Sequence, residues 1–116
     1  MQWLTPEFTH SDSRRTISQM LTEPIAQVNT YFIKKGSTLG NHYHKVTKEY
    51  FFVIEGELYM DIQPLGEKET KGSVLSTGDF FLVEPLEVHK VEAITDVRLM
   101  TLLTKAFTEE DPDIHV

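Results

Sequence analysis

Short runs of about four to eight residues, some alternating apolar and polar and some apolar throughout, follow one another along this chain with turns between them, the pattern of β-strands. Thr16–Leu21 reads as one such strand, ended by Glu23-Pro24. Ala26–Ile33 reads as the next, with Gln27, Asn29 and Tyr31 on one face. Lys35-Gly36 is a turn and His42–His44 a brief extended piece. Glu49–Glu55 and Glu57–Gln63 are two strands parted by Gly56, the mark of a bulge or tight turn. Pro64 to Gly72 is a polar hairpin loop, and Val74-Leu75, Phe80–Val83, His89–Ala93 and Val97–Leu103 complete the set. No window keeps a 3.6-residue period for more than about two turns. Many short strands with Gly and Pro between them predict an all-β sandwich or closed barrel.

Length adds that 116 residues make a single domain, 1–116, with residues 1–15 as a polar arm or short edge element. There is no cysteine, which excludes a disulfide framework, a zinc finger, a thiol nucleophile and an iron–sulfur cluster. No apolar run approaches 18 residues and the N-terminus shows no secretory pattern, so a cytoplasmic protein without a membrane partner is expected. The net charge of −7 argues against nucleic acid as a partner. Glu109, Glu110, Asp111 and Asp113 supply much of it, and 107–116 reads as a solvated acidic tail. Without that tail the body is only mildly acidic and open to an anionic small molecule. The Glu49–Glu55 strand is apolar on both faces, Tyr50, Phe52 and Ile54 against Phe51 and Val53, so a symmetric homodimer is expected to cover one of them.

Of five histidines, His10 and His115 sit in polar terminal segments and read as surface residues. His42 and His44 are two apart, so on extended chain both imidazoles project to the same side. Glu49 follows at the start of the next apolar strand, and His89 lies in a second strand region. Three imidazoles and one carboxylate suit one divalent transition metal such as zinc, manganese, nickel or iron. Four protein ligands on a six-coordinate ion leave two positions for water or substrate.

The string Gly36-x5-His42-x-His44-x4-Glu49-x6-Gly56 resembles the first motif of the cupin superfamily at every fixed position. Gly78-Asp79-Phe80-Phe81-Leu82-Val83-Glu84-Pro85-Leu86-Glu87-Val88-His89 resembles the second, with its proline one place late, Leu86 where glycine is usual, and Ala93 later standing where asparagine is common. The resemblance implies a double-stranded β-helix (a jelly-roll-like barrel) holding one metal through His42, His44, Glu49 and His89, often dimeric through its sheets. Within that superfamily, Gly40-Asn41-His42-Tyr43-His44-Lys45 and Glu49–Glu57 look like cupin sugar isomerases and epimerases. These include cupin-type glucose-6-phosphate isomerases, sugar ketoisomerases, and the cupin domain that ends capsular-polysaccharide nucleotide-sugar reductases. Asp12-Ser13-Arg14-Arg15 and Phe107–Asp113 are similar to segments of the last two groups.

The expected function is therefore a metal-dependent isomerase or epimerase acting on a sugar phosphate or a nucleotide-sugar-like substrate. Alternatives are an iron or nickel dioxygenase, which uses the same ligand types, and a non-catalytic small-molecule-binding cupin. For isomerisation the metal would stabilise an oxyanion, with Glu49 essential to it. Tyr31, Tyr50 and Tyr59 are candidate acids or hydrogen-bond donors. Gln27, Asn29 and Arg98 are candidate substrate contacts, Arg98 suiting a phosphate or carboxylate. Phe51, Phe52, Phe80 and Phe81 read as packing, and Met60 and Met100 as core.

Overall fold

The computed structural model describes residues 1–116 and contains eleven strands. In chain order they are β1 (Gln2–Trp3), β2 (Phe8–Ser11), β3 (Thr16–Gln19), β4 (Gln27–Ile33), β5 (Thr38–His42), β6 (Glu49–Glu55), β7 (Glu57–Pro64), β8 (Lys71–Ser76), β9 (Phe80–Val83), β10 (Glu87–Ala93) and β11 (Val97–Leu103). One sheet has the order β1-β9-β6-β11-β4 and faces a second of order β5-β10-β7-β8. Strands β2 and β3 form a separate exposed hairpin. Every ladder is antiparallel, and the fold is the all-β double-stranded β-helix of the cupins.

The period-2 pattern decides what enters the core. Along β7, Leu58, Met60 and Ile62 are buried while Glu57 and Tyr59 are exposed. Along β11, Val97, Leu99, Thr101 and Leu103 are buried while Arg98 is exposed. Phe51 of β6 and Phe81 of β9 stack with ring centroids 4.9 Å apart between the sheets. Each fully buried side chain of this size contributes roughly 1.5–3 kcal/mol.

Two local readings change. The extended piece expected at His42–His44 is instead β5, Thr38–His42, and His44 lies beyond its end. Tyr43 keeps the chain extended between them through a lone antiparallel bridge to His115. The C-terminal segment is not simply a solvated tail. Glu109, Glu110 and Asp111 are exposed, but Asp113 is buried. Its carboxylate accepts hydrogen bonds from the N–H groups of Lys45 (2.8 Å), Val46 (3.0 Å) and Thr47 (2.8 Å), and from the Thr47 hydroxyl (2.7 Å). Burial pushes the Asp113 carboxyl up, but these donors outweigh it and hold the group well below the usual carboxylate range. A count of charges cannot see that four donors wait for this one acid in a turn 66 residues away.

Leu86 resolves the irregular second motif. It adopts a left-handed φ of 68° at the place where glycine is usual. Its N–H donates to the His44 carbonyl at 2.7 Å, which ties the turn before His89 to the first motif.

Candidate active site and metal centre

Three strands and one loop bring four donor side chains together. Strand β5 ends on His42, which its register sets opposite His89 of β10. The loop after β5 carries His44, and β6 opens with Glu49, whose side chain is buried like those of Phe51 and Val53 on the same inward face. The ligand atoms of His42, His44, Glu49 and His89 all lie within 4.8 Å of one another. Glu49 Oε1 is 3.1 Å from His44 Nε2 and 3.4 Å from His89 Nε2. The remaining ring nitrogens are held from outside: His44 Nδ1 lies 2.7 Å from the Asp113 carbonyl and His89 Nδ1 3.0 Å from the Glu87 carbonyl. Nδ1–H donation to a carbonyl is how metal-binding histidines are usually oriented, because it turns Nε2 inward.

The electrostatics follow from this geometry. Burial pushes the Glu49 carboxyl up, but hydrogen bonds from His44 and His89 overcome it and bring the group down to about 2. Burial pushes His44 down, yet Glu49 and the Asp113 carbonyl outweigh it and raise His44 above its ordinary value. His42 is lowered to about 4, first by burial and then by the neighbouring imidazoles. Metal–donor bonds of about 2.0–2.2 Å put donor pairs roughly 3–4.4 Å apart, so the four residues fit one ion with modest adjustment.

These shifts give a stability profile for chelator-treated protein. His44 binds its proton more tightly folded than unfolded, so its contribution is present below about pH 6.5 and lost as pH rises through its raised folded value. His42 resists protonation when folded, so stability falls as pH drops from about 6.5 to about 4. Glu49 adds a further loss from about pH 4.3 down to about 2. Thermal melts across pH should therefore peak near pH 6.5, and His42→Gln should flatten the decline between 6.5 and 4.

The cluster opens into a cavity of about 240 Å³ between the sheets. Gln27, Asn29 and Tyr31 of β4 line it, with Lys105, Phe107, Pro112 and Ile114 from the segment after β11. Gln27 is braced at both ends: its Nε2 donates to Asn29 Oδ1 (3.1 Å) and its Oε1 accepts the Phe107 N–H (2.8 Å). Asn29 is thereby oriented with its own amide N–H groups available to a ligand.

Tyr50, Tyr59 and Arg98 are not brought to the cavity. Tyr50 lies between the inward-facing Glu49 and Phe51 and so points to the other face of the sheet, where its hydroxyl donates to Glu23. Burial and the Glu23 carboxylate both raise the Tyr50 hydroxyl above its ordinary range. Tyr50→Phe should cost about 1.5–3 kcal/mol in a urea melt, as a hydrogen bond to a charged group is lost, while leaving turnover unchanged. Tyr59 is on the outer face of β7, where its ring lies across Gly72, so that a Cβ there would have to displace the Tyr59 side chain. Arg98 is on the outer face of β11, with its guanidinium 5.3 Å from the centre of the Phe32 ring. The strand period settles all three against the inward set. Lys105, Phe107, Pro112, Asp113 and Ile114 went unread as site residues; the only sequence signal was the set of apolar residues scattered among those acids.

Residues 10–115 match the family described as the polysaccharide biosynthesis C-terminal domain. This chain belongs to that family. The domain's fold recurs in the capsular polysaccharide assembling protein CapF of Staphylococcus aureus, at 22% identity and a TM-score of 0.74. That match covers 93% of this chain but 33% of CapF, so this chain spans about a third of that protein's length. The sugar 3,4-ketoisomerase QdtA of Thermoanaerobacterium thermosaccharolyticum, solved in complex with TDP, aligns at 19% identity and a TM-score of 0.73, covering 96% of this chain and 84% of QdtA. A dTDP-4-dehydrorhamnose 3,5-epimerase from Sulfolobus tokodaii aligns at 15% identity and a TM-score of 0.72, covering 97% and 80%. No curated protein matches the chain in sequence. No helix of this family member is long and apolar enough to cross a membrane.

Proposed function

We propose that this domain is a metal-dependent isomerase or epimerase that moves a proton next to the carbonyl of a nucleotide-linked or phosphorylated sugar. The observation that carries the reading is the cluster of His42, His44, Glu49 and His89 at a cavity that Asn29 and Tyr31 also line. The fold shared with a sugar 3,4-ketoisomerase and a 3,5-epimerase supports it. The four cluster residues would hold one divalent ion, zinc, manganese, nickel or iron, which would supply Lewis-acid stabilisation of negative charge on a substrate oxygen. Asn29, braced by Gln27, donates to a sugar oxygen and so fixes the ring's orientation. Tyr31 is the one candidate tyrosine that lines the cavity, and it serves as hydrogen-bond donor and acid to a substrate oxygen. The apolar Phe107, Pro112 and Ile114 limit water at the reacting carbon.

The test is elemental analysis of protein purified without chelator or nickel resin, beside turnover and solvent-deuterium exchange on a panel of keto-deoxy nucleotide sugars and sugar phosphates. Near-stoichiometric metal, lost in His44→Ala, together with deuterium entering next to a carbonyl, is the expected result. No exchange by fully metallated protein would overturn the reading. Exchange that survives chelation would overturn its metal part. Oxygen uptake with a thiol or flavonol would favour a dioxygenase instead.

A homodimer belongs to the same proposal. Val28, Phe32 and Ile54 are exposed apolar residues on the five-stranded sheet, and the β2–β3 hairpin adds Phe8 and Ile17. A two-stranded hairpin alone is marginal in water, so a second copy is expected to cover these surfaces. Sedimentation at micromolar concentration should give a dimer, and a monomer would count against it.

A further inference from the structure

We propose that Asp113 is a positioning residue that sets the tautomer and tilt of His44, and that the segment after β11 is thereby part of the centre's machinery. The proposal deepens the reading above and rests on the cluster acting as a metal or proton centre. Both ends of one residue meet one loop. The Asp113 carboxylate takes the three successive N–H groups of Lys45, Val46 and Thr47, while its backbone carbonyl takes His44 Nδ1 at 2.7 Å. A left-handed φ of 50° accompanies this arrangement, a conformation Asp tolerates better than most residues. His115 buttresses it: its Nε2 is 3.0 Å from Asp113 Oδ1, and its backbone bridges Tyr43 beside His44.

The consequence is a preference between two imidazole states. With Nδ1–H committed to the carbonyl, His44 offers Nε2 to the cluster and cannot turn Nδ1 inward without breaking a buried hydrogen bond. Pro112 and Ile114, on either side of Asp113, line the cavity. The same short stretch therefore shapes the substrate wall and holds the ligand.

The experiment uses the full chain and the variants Asp113→Ala, Asp113→Asn and Thr47→Val. Two quantities are read at a temperature where circular dichroism shows each variant folded. One is the 15N–1H signal of the His44 imidazole in metal-free protein; the other is the dissociation constant for Zn²⁺ by calorimetry. Asp113→Ala keeps the backbone carbonyl but loses the carboxylate clamp that aims it, so the protected Nδ1–H signal should disappear and Zn²⁺ should bind roughly 10- to 100-fold more weakly. Thr47→Val removes the hydroxyl donor and leaves the three N–H donors that hold the carboxylate, so it should lower Tm without moving either readout. Asp113→Asn keeps one acceptor and the tolerance of left-handed φ, so about a three- to tenfold weakening is expected. If Asp113→Ala does not fold, that variant decides the same question. A wild-type His44 signal and a Zn²⁺ constant within threefold of wild type in folded Asp113→Ala, or in Asp113→Asn where only that variant folds, would overturn the proposal. Loss of the signal in a protein whose wild type binds no Zn²⁺ would support the positioning role and overturn the metal reading alone.

Discussion

Glu49→Gln should reduce turnover by about two to three orders of magnitude, the scale seen when one electrostatic group is removed from an active site. The exchange preserves size and removes the only carboxylate of the cluster. His44 and His89 both turn Nε2 toward its Oε1, at 3.1 and 3.4 Å. An amide oxygen in the same place can still accept from both nitrogens, but the negative charge that strengthens both contacts is gone. The anion that offsets a divalent charge is also lost, so metal content should fall with activity. The check is kcat beside metal per chain, with a circular dichroism spectrum to establish folding. Activity within tenfold of wild type at full metal occupancy would remove Glu49 from the chemistry.

Gly56→Ala should cost more than about 3 kcal/mol, enough to unfold a domain of ordinary stability at moderate temperature. Gly56 joins β6 to β7 with φ of 106°, in the region that side chains rarely adopt. A Cβ there would collide with the Asp96 carbonyl oxygen and stand 2.9 Å from Thr95 Oγ1 and 3.1 Å from Val97 Cα. Two of those obstacles are backbone, so no rotamer change relieves them. Gly36, the other end of the first motif, separates strain from collision. Its φ is 86°, but nothing lies within 4 Å of an added Cβ. Gly36→Ala should therefore lose only about 1 kcal/mol. Urea melts of both variants should show a much larger drop in midpoint for Gly56→Ala, with a similar slope. Equal losses would show that conformation alone, and not close approach, makes Gly56 a glycine.

The strands and the cluster were legible because both rest on spacing. Period-2 alternation marked β7 and β11 nearly to their ends, since one face of each packs into the core, and an unbroken apolar run between Glu49 and Glu55 marked β6. The four cluster residues were legible because His42 and His44 flank one extended residue, and because Glu49 and His89 stand in two recognisable motifs. Which of several polar strand residues face inward was less so. Tyr31 and Tyr50 look alike as aromatic residues on apolar strands, but Glu49 fixes the phase of β6 and sends Tyr50 outward. Arg98 follows the same rule, flanked by buried Val97 and Leu99. Asp113 was illegible for a different reason. Its partners are backbone N–H groups, which carry no sequence signature, and they lie in a turn joined to it only by the tertiary fold.

The bond from Glu49 to His44, and its close approach to His89, bear on how the protein meets its ion. Two of the three imidazoles already share one carboxylate, and each is anchored to a carbonyl behind it. With a hydrophobic core of its own, the barrel is expected to fold ahead of any ion, in contrast to small domains that collapse only around zinc. Under the proposed reading, loading becomes an exchange in which a divalent cation displaces imidazole protons into the solvent. Such an exchange has a proton stoichiometry, visible as a buffer-dependent heat of binding. The barrel would thus be assembled first and supplied later, and the ion it carries would reflect what its surroundings offer as much as what its four donors prefer.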